Sequence, residues 1–204
     1  MRYAVDHKGQ SRERIVTAAG RQFRAKGSEN VRVADVMKAT GLTHGGFYKH
    51  FSSKDQLLKE AVQAALAQTA TQFAELAGGL SRGEALKRVI ASYLSEAHVK
   101  HPDIGCTLAA MGTEMARMPR DMKRAVSQAL DAYLDRLAFL MPGKTAGQRK
   151  AAFLVLFPSM AGCMMTARAH SSKERQRQIL EAGRAFFEQA FCGEKTPEFL
   201  ETMQ

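Results

Sequence analysis

The sequence predicts an all-α protein of about nine helices. Three observations favour this fold class: apolar residues recur at helical spacing along most of the 204-residue chain, no segment alternates with period two, and Gly, Pro and Ser separate the helical segments. With 45% hydrophobic and 25% charged residues, the chain has enough apolar material for a buried core. We expect two domains, residues 1–53 and 54–204.

The first helix is expected to follow a flexible arm, residues 1–10. Ser11 is a suitable N-cap, and Ile15, Ala19 and Phe23 lie at the i, i+4, i+8 spacing of one buried face. Gly27 should end this helix.

Two short helices are predicted between Val33 and Phe51, joined by a tight turn. Gly41 can end the first helix in the left-handed conformation, and Thr43 is a good N-cap for the second, from about His44 to Phe51. Two helices joined by a short turn that contains glycine form the helix-turn-helix pattern, whose second helix enters the DNA major groove.

Six longer helices should follow, because boundary residues recur at suitable intervals. Ser53 with Gln56 fits a capping box, and Pro158 should kink the helix that contains it. The expected ranges are about 53–77, 84–98, 103–118, 119–141, 145–170 and 172–191.

The segment GLTHGGFYKHFSSKDQLL resembles the recognition helix, the Tyr-x-His-Phe signature and the start of the next helix in the TetR family of bacterial transcription regulators. The resemblance extends over about Ser11 to Val62 and is only architectural beyond it. It implies an N-terminal three-helix helix-turn-helix domain and a C-terminal ligand-binding and dimerisation domain. One departure is Arg32, which stands where the family usually has a Ser or Thr cap.

The candidate DNA contacts follow from position and from this resemblance. Thr43, His44 and Lys49 are best placed for base edges or phosphates, and glycine in the first turn implies a close backbone approach. Tyr48 and His50 are carried over from the family pattern as backbone contacts, with packing as the alternative for Tyr48. A cation at a helix start is disfavoured unless it binds a phosphate there. The full set is Arg32, Thr43, His44, Gly45, Tyr48, Lys49, His50 and Lys54.

The charge distribution favours a polyanionic partner. Residues 1–60 hold twelve Lys or Arg and six Asp or Glu, within a chain of net charge +10. A solvated basic face is the alternative.

The second half is rich in Met and Phe, which suit an adaptable apolar cavity. The resemblance implies a pocket for a small lipophilic or electrophilic effector; ordinary helical core is the alternative for each residue. The candidate lining residues are Cys106, Met111, Met115, Phe139, Phe157 and Met160.

Cys106 is expected in the first turn of a helix, where a thiolate is stabilised, so it is either a sensor thiol or an inert core cysteine. A metal site of His98, His101 and Cys106 is disfavoured, because their spacing matches no recognised motif. We expect no metal and no cofactor.

The last two predicted helices have broad apolar surfaces, and the resemblance implies that they pair with a second subunit. The alternative is that they cover the core of one monomer. The candidate interface residues are Phe153, Met160, Met164, Ile179, Gly183, Phe186 and Phe187.

The sequence thus indicates a bacterial, cytoplasmic, homodimeric repressor that binds a palindromic DNA operator and is released by a small effector. A constitutive architectural DNA binder is the alternative. An enzyme is disfavoured because the sequence has no P-loop, GxSxG, HExxH or dinucleotide motif. No apolar run approaches the length of a membrane span, no N-terminal signal is evident, and three scattered Cys fit a reducing compartment.

Overall fold

A computed structural model describes residues 2–193, 197 and 200, with side chains from residue 8 onward. In this part of the chain the secondary structure is helical throughout, as expected. The α-helices are α1 (Arg2–Lys26), α2 (Val33–Ala39), α3 (Lys54–Ala77), α4 (Arg82–Tyr93), α5 (Glu96–Lys100), α6 (Thr107–Arg117), α7 (Arg120–Leu137), α8 (Ala146–Ala169) and α9 (Lys173–Phe191). Three 3₁₀ segments cover His44–Lys49, Pro102–Ile104 and Ala138–Leu140.

The helices form two compact units. Unit 1 comprises the chain up to Ala67 together with Pro102–Ala129, and unit 2 comprises Gln68–His101 and the chain from Leu130 onward. Unit 1 therefore contains more than the predicted residues 1–53, because α6 packs on α1. The division into functional domains at residue 53 stays a prediction.

The core of unit 1 follows the predicted apolar spacing. Ile15, Ala19 and Phe23 of α1 are fully buried and pack with the apolar faces of α2 and α3. Gly27 ends α1 with φ of 79°. The prediction of an arm over residues 1–10 is wrong, since α1 begins at Arg2 and Ser11 lies inside it. The segment has no proline, and the single glycine within it costs a helix only about 1 kcal/mol. Arg2 is one of the basic residues of this segment, and its side chain lies outside the described residues.

Helix α6 is tied to the C-terminal end of α1 by two polar contacts. The Glu114 carboxylate accepts a hydrogen bond from the backbone N–H of Ser28 at 2.9 Å. Arg24 Nε donates to the carbonyl oxygen of Asp103, in the segment before α6, at 2.8 Å. Burial lowers the pKa of Arg24, although the nearby Asp103 opposes that shift.

In unit 2 the predicted helix 84–98 is two helices, α4 and α5. The chain breaks at Leu94 and Ser95, where the Ser95 hydroxyl accepts from the N–H of His98 at 3.2 Å and so caps α5. The freed Leu94 carbonyl oxygen accepts from Arg184 of α9 at 2.9 Å. A side chain distant in sequence therefore supports the break, which local periodicity could not predict.

His98 belongs to an aromatic cluster inside unit 2. Its Nδ1 donates to the Tyr93 carbonyl oxygen at 2.7 Å, and its ring lies edge-on to the Tyr93 ring. Burial lowers the pKa of His98 to about 4, so the imidazole is neutral at pH 7. Among the described residues, no group of three His, Cys, Asp or Glu side chains is arranged to hold a metal ion.

Helix α8 continues through Pro158, which lies on its exposed side. By length and composition alone it is apolar enough to cross a membrane. Core helices of globular proteins share these properties, and here one side of α8 packs on α9. Thr145 caps this helix in a capping box with Gln148.

Candidate nucleic-acid interface

The predicted recognition helix is a single 3₁₀ segment, His44–Lys49, rather than an α-helix reaching Phe51. The Thr43 carbonyl oxygen accepts from the Gly46 N–H at 3.0 Å, the i→i+3 pattern of a 3₁₀ turn. Two adjacent glycines are poor α-helix formers, and so short a segment gains little from helical cooperativity. Thr43 occupies the N-cap position, but its side chain makes no capping hydrogen bond.

Phe47 is the buried side chain of this segment, whereas His44, Tyr48 and Lys49 are exposed. Tyr48 and Lys49 follow Phe47 directly, so the turn of the 3₁₀ segment places them in rows other than that of Phe47. Tyr48 is 68% exposed, which gives no support to the packing alternative. Of the predicted contacts in this segment and beside it, the exposed ones are Thr43, His44, Gly45, Tyr48 and Lys49.

The two glycines of the helix-turn-helix have different reasons to be glycine. Gly41 has φ of 73°, so a side chain there would be strained. A Cβ on Gly45 would meet no atom of the described structure within 4 Å. Packing within the described structure therefore does not require glycine at position 45, and the close backbone approach expected there stays a prediction.

Arg12 of α1 fixes the end of the recognition segment. Its Nη1 donates to the carbonyl oxygen of His50, and its Nη2 lies 2.7 and 2.8 Å from the two Glu60 carboxylate oxygens. Its guanidinium also stacks on the Phe51 ring, 4.2 Å from the ring centre. One side chain thus joins α1, the end of the recognition segment and α3.

The start of α3 continues this network. Gln56 Nε2 donates to Glu60 at 3.1 Å, and Gln56 Oε1 accepts from the Ser52 N–H at 2.7 Å. The Ser53 hydroxyl accepts from the Gln56 N–H at 3.0 Å. The predicted capping box is therefore present in modified form, reaching back to Ser52. Lys54 is the first residue of α3 and is half-buried.

Arg32 occupies the N-cap position of α2 without capping it. Its guanidinium instead makes a forked ion pair with Asp35, at 3.0 and 3.3 Å. The hydrogen bond from Arg32 lowers the pKa of Asp35 and raises that of Arg32. Both side chains are solvent-exposed, so Arg32 can exchange Asp35 for another anion at small cost.

His50 lies half-buried beside α1, at the end of the recognition segment. Desolvation lowers its pKa, and the positive charges of Lys8, Arg12 and Lys49 lower it further. Its Nδ1 is buried and has no hydrogen-bond partner among the described residues.

Residues 15–61, which carry this arrangement, match the model of bacterial regulatory proteins of the tetR family. This part of the chain is a TetR-type helix-turn-helix segment. The TetR-like fold class expected from the sequence is confirmed with it.

Further comparisons agree with this assignment. The uncharacterized HTH-type regulator YdgC of Bacillus subtilis is 24% identical over 60% of this chain. The match spans 65% of YdgC, just under two thirds of that protein.

Two solved structures of bacterial proteins show the same fold. Reduced Escherichia coli NemR has a TM-score of 0.72 at 16% identity and covers 92% of this chain and 99% of its own. Bacillus subtilis FadR with stearoyl-CoA has a TM-score of 0.57 at 18% identity and covers 85% and 97% of the respective chains. At these identities the likeness concerns the fold alone.

The predicted effector-pocket residues are divided between the two units. Cys106, Met111 and Met115 belong to unit 1 and are buried, whereas Phe157 and Met160 are buried in unit 2. Cys106 lies at the N-cap of α6, one residue before the helix in which it was expected. Phe139 is 54% exposed, so its assignment to an enclosed pocket needs correction.

The predicted dimer residues divide into an inner and an outer group. Gly183 packs against Leu94 and Cys163, Ile179 is half-buried, and Phe186 is 63% exposed. The other predicted residues are buried within unit 2, so their assignment to an intersubunit surface needs correction: Phe153, Met160, Met164 and Phe187.

Sequence reasoning missed the exposed apolar residues Leu154, Val155 and Met165 of α8. Because α8 is apolar on all sides, its periodicity could not separate an inner from an outer face. Reasoning from the sequence also missed Arg12, whose partners lie 38 and 48 residues away.

Loss of Arg12 should destabilise unit 1. Arg12→Ala removes the ion pair with Glu60 and the donor to His50, so we expect about 1–3 kcal/mol less stability in urea unfolding. Arg12→Lys keeps the charge but has no second nitrogen with which to bind Glu60 and the His50 carbonyl oxygen in one planar group, and it should recover only part of the loss. Arg21→Ala, at an exposed position of the same helix, is the matched control. Equal stability of the Ala variant and the control would contradict the role assigned to Arg12.

Proposed function

We propose that this TetR-family protein is a homodimeric transcription repressor that binds a palindromic operator and is released by a small-molecule effector. The observation that carries the proposal is the recognition segment, which exposes Thr43, His44, Tyr48 and Lys49. Polar side chains and a glycine backbone on one short segment suit a major groove, where base edges are read. The proposal assigns no catalysis to the chain and places it in the bacterial cytoplasm with its DNA.

The unpaired positive charges beside the recognition segment also support DNA as the partner. Lys49 and Lys54 form no ion pair with any side chain that the structure describes. Lys54 begins α3, where a cation opposes the helix dipole unless an anion lies nearby. A DNA phosphate at that helix end would bind both the amides and the lysine.

The proposed dimer uses the outer faces of α8 and α9. Leu154, Val155 and Met165 on α8 and Phe186 on α9 form exposed apolar surface. Gly162 of α8 has open space beside it, since a Cβ there would meet nothing within 4 Å, and a helix of the partner subunit could approach α8 closely at this point. One recognition segment reads only a few base pairs, whereas a two-fold dimer presents two segments to half-sites about 34–36 Å apart.

The proposed effector binds in the C-terminal part of the chain. The support is indirect: the FadR structure of similar fold holds stearoyl-CoA, and this chain places Met and aromatic side chains in the interior of unit 2. An effector acts by binding the DNA-free conformation more tightly than the DNA-bound one. The alternative, a constitutive DNA binder, would keep its DNA affinity with every small molecule tried.

DNA binding should depend on Tyr48 and Lys54. Against duplex DNA from the region upstream of the chain's own gene, Lys54→Ala should lower affinity about tenfold near 0.1 M salt and reduce the salt slope by about one. Tyr48→Ala should lower affinity without that change in slope, because it removes no charge. The matched control is Lys123→Ala, at an exposed site on α7. Unchanged affinity in both test variants, with helicity intact, would remove this segment from the groove.

The Arg32→Ala variant separates a contact from a structural pair. Because Asp35 already holds Arg32, we expect a smaller loss of affinity than for Lys54→Ala. A loss of equal size in the same assay would show that Arg32 leaves Asp35 to bind a phosphate.

The dimer should depend on Phe186. Phe186→Glu places a charge on exposed apolar surface and should give a monomer in sedimentation at micromolar concentration, without disturbing the buried core. Gln178→Glu, at another exposed site of α9, is the charge-matched control. Wild-type thermal unfolding should depend on protein concentration. A dimer that persists in Phe186→Glu would place the interface elsewhere.

A second candidate effector is an electrophile that reacts with Cys106. Two features favour it: Cys106 occupies the N-cap position of α6, and the Arg24 guanidinium lies near enough to interact with it electrostatically. Its burial argues against it, since the side chain is only 9% exposed. Cys106→Ser should bind DNA normally but ignore a thiol reagent that releases wild-type protein. An equal response of the two proteins would return Cys106 to the core.

A further inference from the structure

An open cleft of about 490 Å³ lies between α1 and the end of the recognition segment. Its lining combines residues from these two places, Lys8 and Ser11 on α1 with Lys49 and His50. Lys49 and His50 are predicted DNA contacts, whereas none of the predicted DNA contacts lies on α1. All four side chains carry a hydrogen-bond donor, which is the chemistry that an oxyanion requires.

The charges around the cleft are unbalanced. Lys8 and Lys49 form no ion pair among the described side chains, whereas Arg12, behind His50, is held by Glu60 of α3. From α1, from the recognition segment and from α3, the free charge that faces His50 is therefore positive. An anion in the cleft would relieve repulsion that the folded protein otherwise carries.

The position of His50 gives a second, independent observation. Arg12 binds the His50 carbonyl oxygen and so fixes the backbone, which holds the imidazole beside α1. The buried Nδ1 has no partner among the described residues, and a buried polar atom without a partner is costly. Because His50 also lines the cleft, a rotation of its ring would let a bound ligand accept a hydrogen bond from this nitrogen and remove that cost.

We propose that this cleft binds one phosphate group of the DNA backbone, so that Lys8 and Ser11 of α1 grip the same phosphate as Lys49 and His50. The inference rests on the proposed DNA-binding function and extends the contact surface beyond the helix-turn-helix. Its role is positional, because a phosphate contact fixes the register of the recognition segment on the duplex without reading sequence.

A shared phosphate predicts a specific pattern of salt dependence. With the upstream duplex as probe, between about 50 and 200 mM salt, Lys8→Ala and Lys49→Ala should each weaken binding severalfold. The double variant should lose about one unit of salt slope in total, since a single phosphate is released. Two separate phosphates would instead cost about two units. Lys123→Ala is again the charge-matched control.

Proton uptake gives a second readout. Desolvation and the repulsion of Lys8, Arg12 and Lys49 hold the pKa of His50 below its usual value in the free protein. A bound phosphate raises that pKa, and binding then takes up a proton. DNA affinity should therefore rise as pH falls from about 7.5 to 6, and His50→Gln should flatten this dependence.

Inorganic phosphate tests the cleft without DNA. Phosphate added to the full chain should shift the NMR signals of the His50 ring and raise its titration midpoint, whereas chloride at equal ionic strength should not. Lys8→Ala should abolish both effects. If phosphate binds in this way but Lys8→Ala leaves the DNA affinity unchanged, the cleft is a site for small anions and the proposal fails.

The outcomes separate this inference from the proposed function. Unchanged DNA affinity in Lys8→Ala, together with weaker binding in Lys49→Ala, overturns the role of α1 alone. Failure of the wild-type protein to bind any upstream duplex overturns the DNA-binding function, and the role of α1 with it.

Discussion

The ion pair between Arg12 and Glu60 is the interaction on which the recognition surface depends. A six-residue 3₁₀ segment cannot hold its own orientation, because short helices are marginal without tertiary support. Phe47 and Phe51 anchor it from below, and their stacked rings are buried. Apolar contact is not directional, whereas Arg12 adds direction by binding the His50 carbonyl oxygen and both Glu60 oxygens at once. Three contacts therefore hold the segment and its exposed side chains in place: the buried Phe47 and Phe51 rings, the hydrogen bond from Arg12 to His50, and the ion pair of Arg12 with Glu60.

Helix α8 meets two different requirements on its two sides. Its inner side is buried in unit 2, with Phe153 stacked on Phe157. Its outer side carries exposed Leu154, Val155 and Met165, which form part of the interface in the proposed dimer. In that proposal α8 serves both a core and an interface, and a helix with both tasks is apolar all round, with the composition of a membrane span.

Local signals in the sequence predicted most of the fold. Gly27 and Gly41 lie where their own chemistry ends a helix, so no distant residue was needed to place them. Leu94 shows the limit, because its break depends on Arg184, ninety residues away. The candidate site divides in the same way. Tyr48 could be found from a motif, whereas the contact of Lys8 with the site requires α1 to be folded against the recognition segment.

Arginine and lysine have different tasks in unit 1. Arg12, Arg14, Arg24 and Arg32 bind carboxylates or carbonyl oxygens of the protein itself. Their planar forks suit such fixed geometry, while lysine is a mobile point charge that adapts to a phosphate. The basic composition of residues 1–60 thus overstates the charge available to DNA, which falls mainly to lysines. In the proposed complex these lysines supply affinity that is independent of sequence. Sequence specificity would then come from exposed side chains that are uncharged or weakly basic, such as Thr43 and His44.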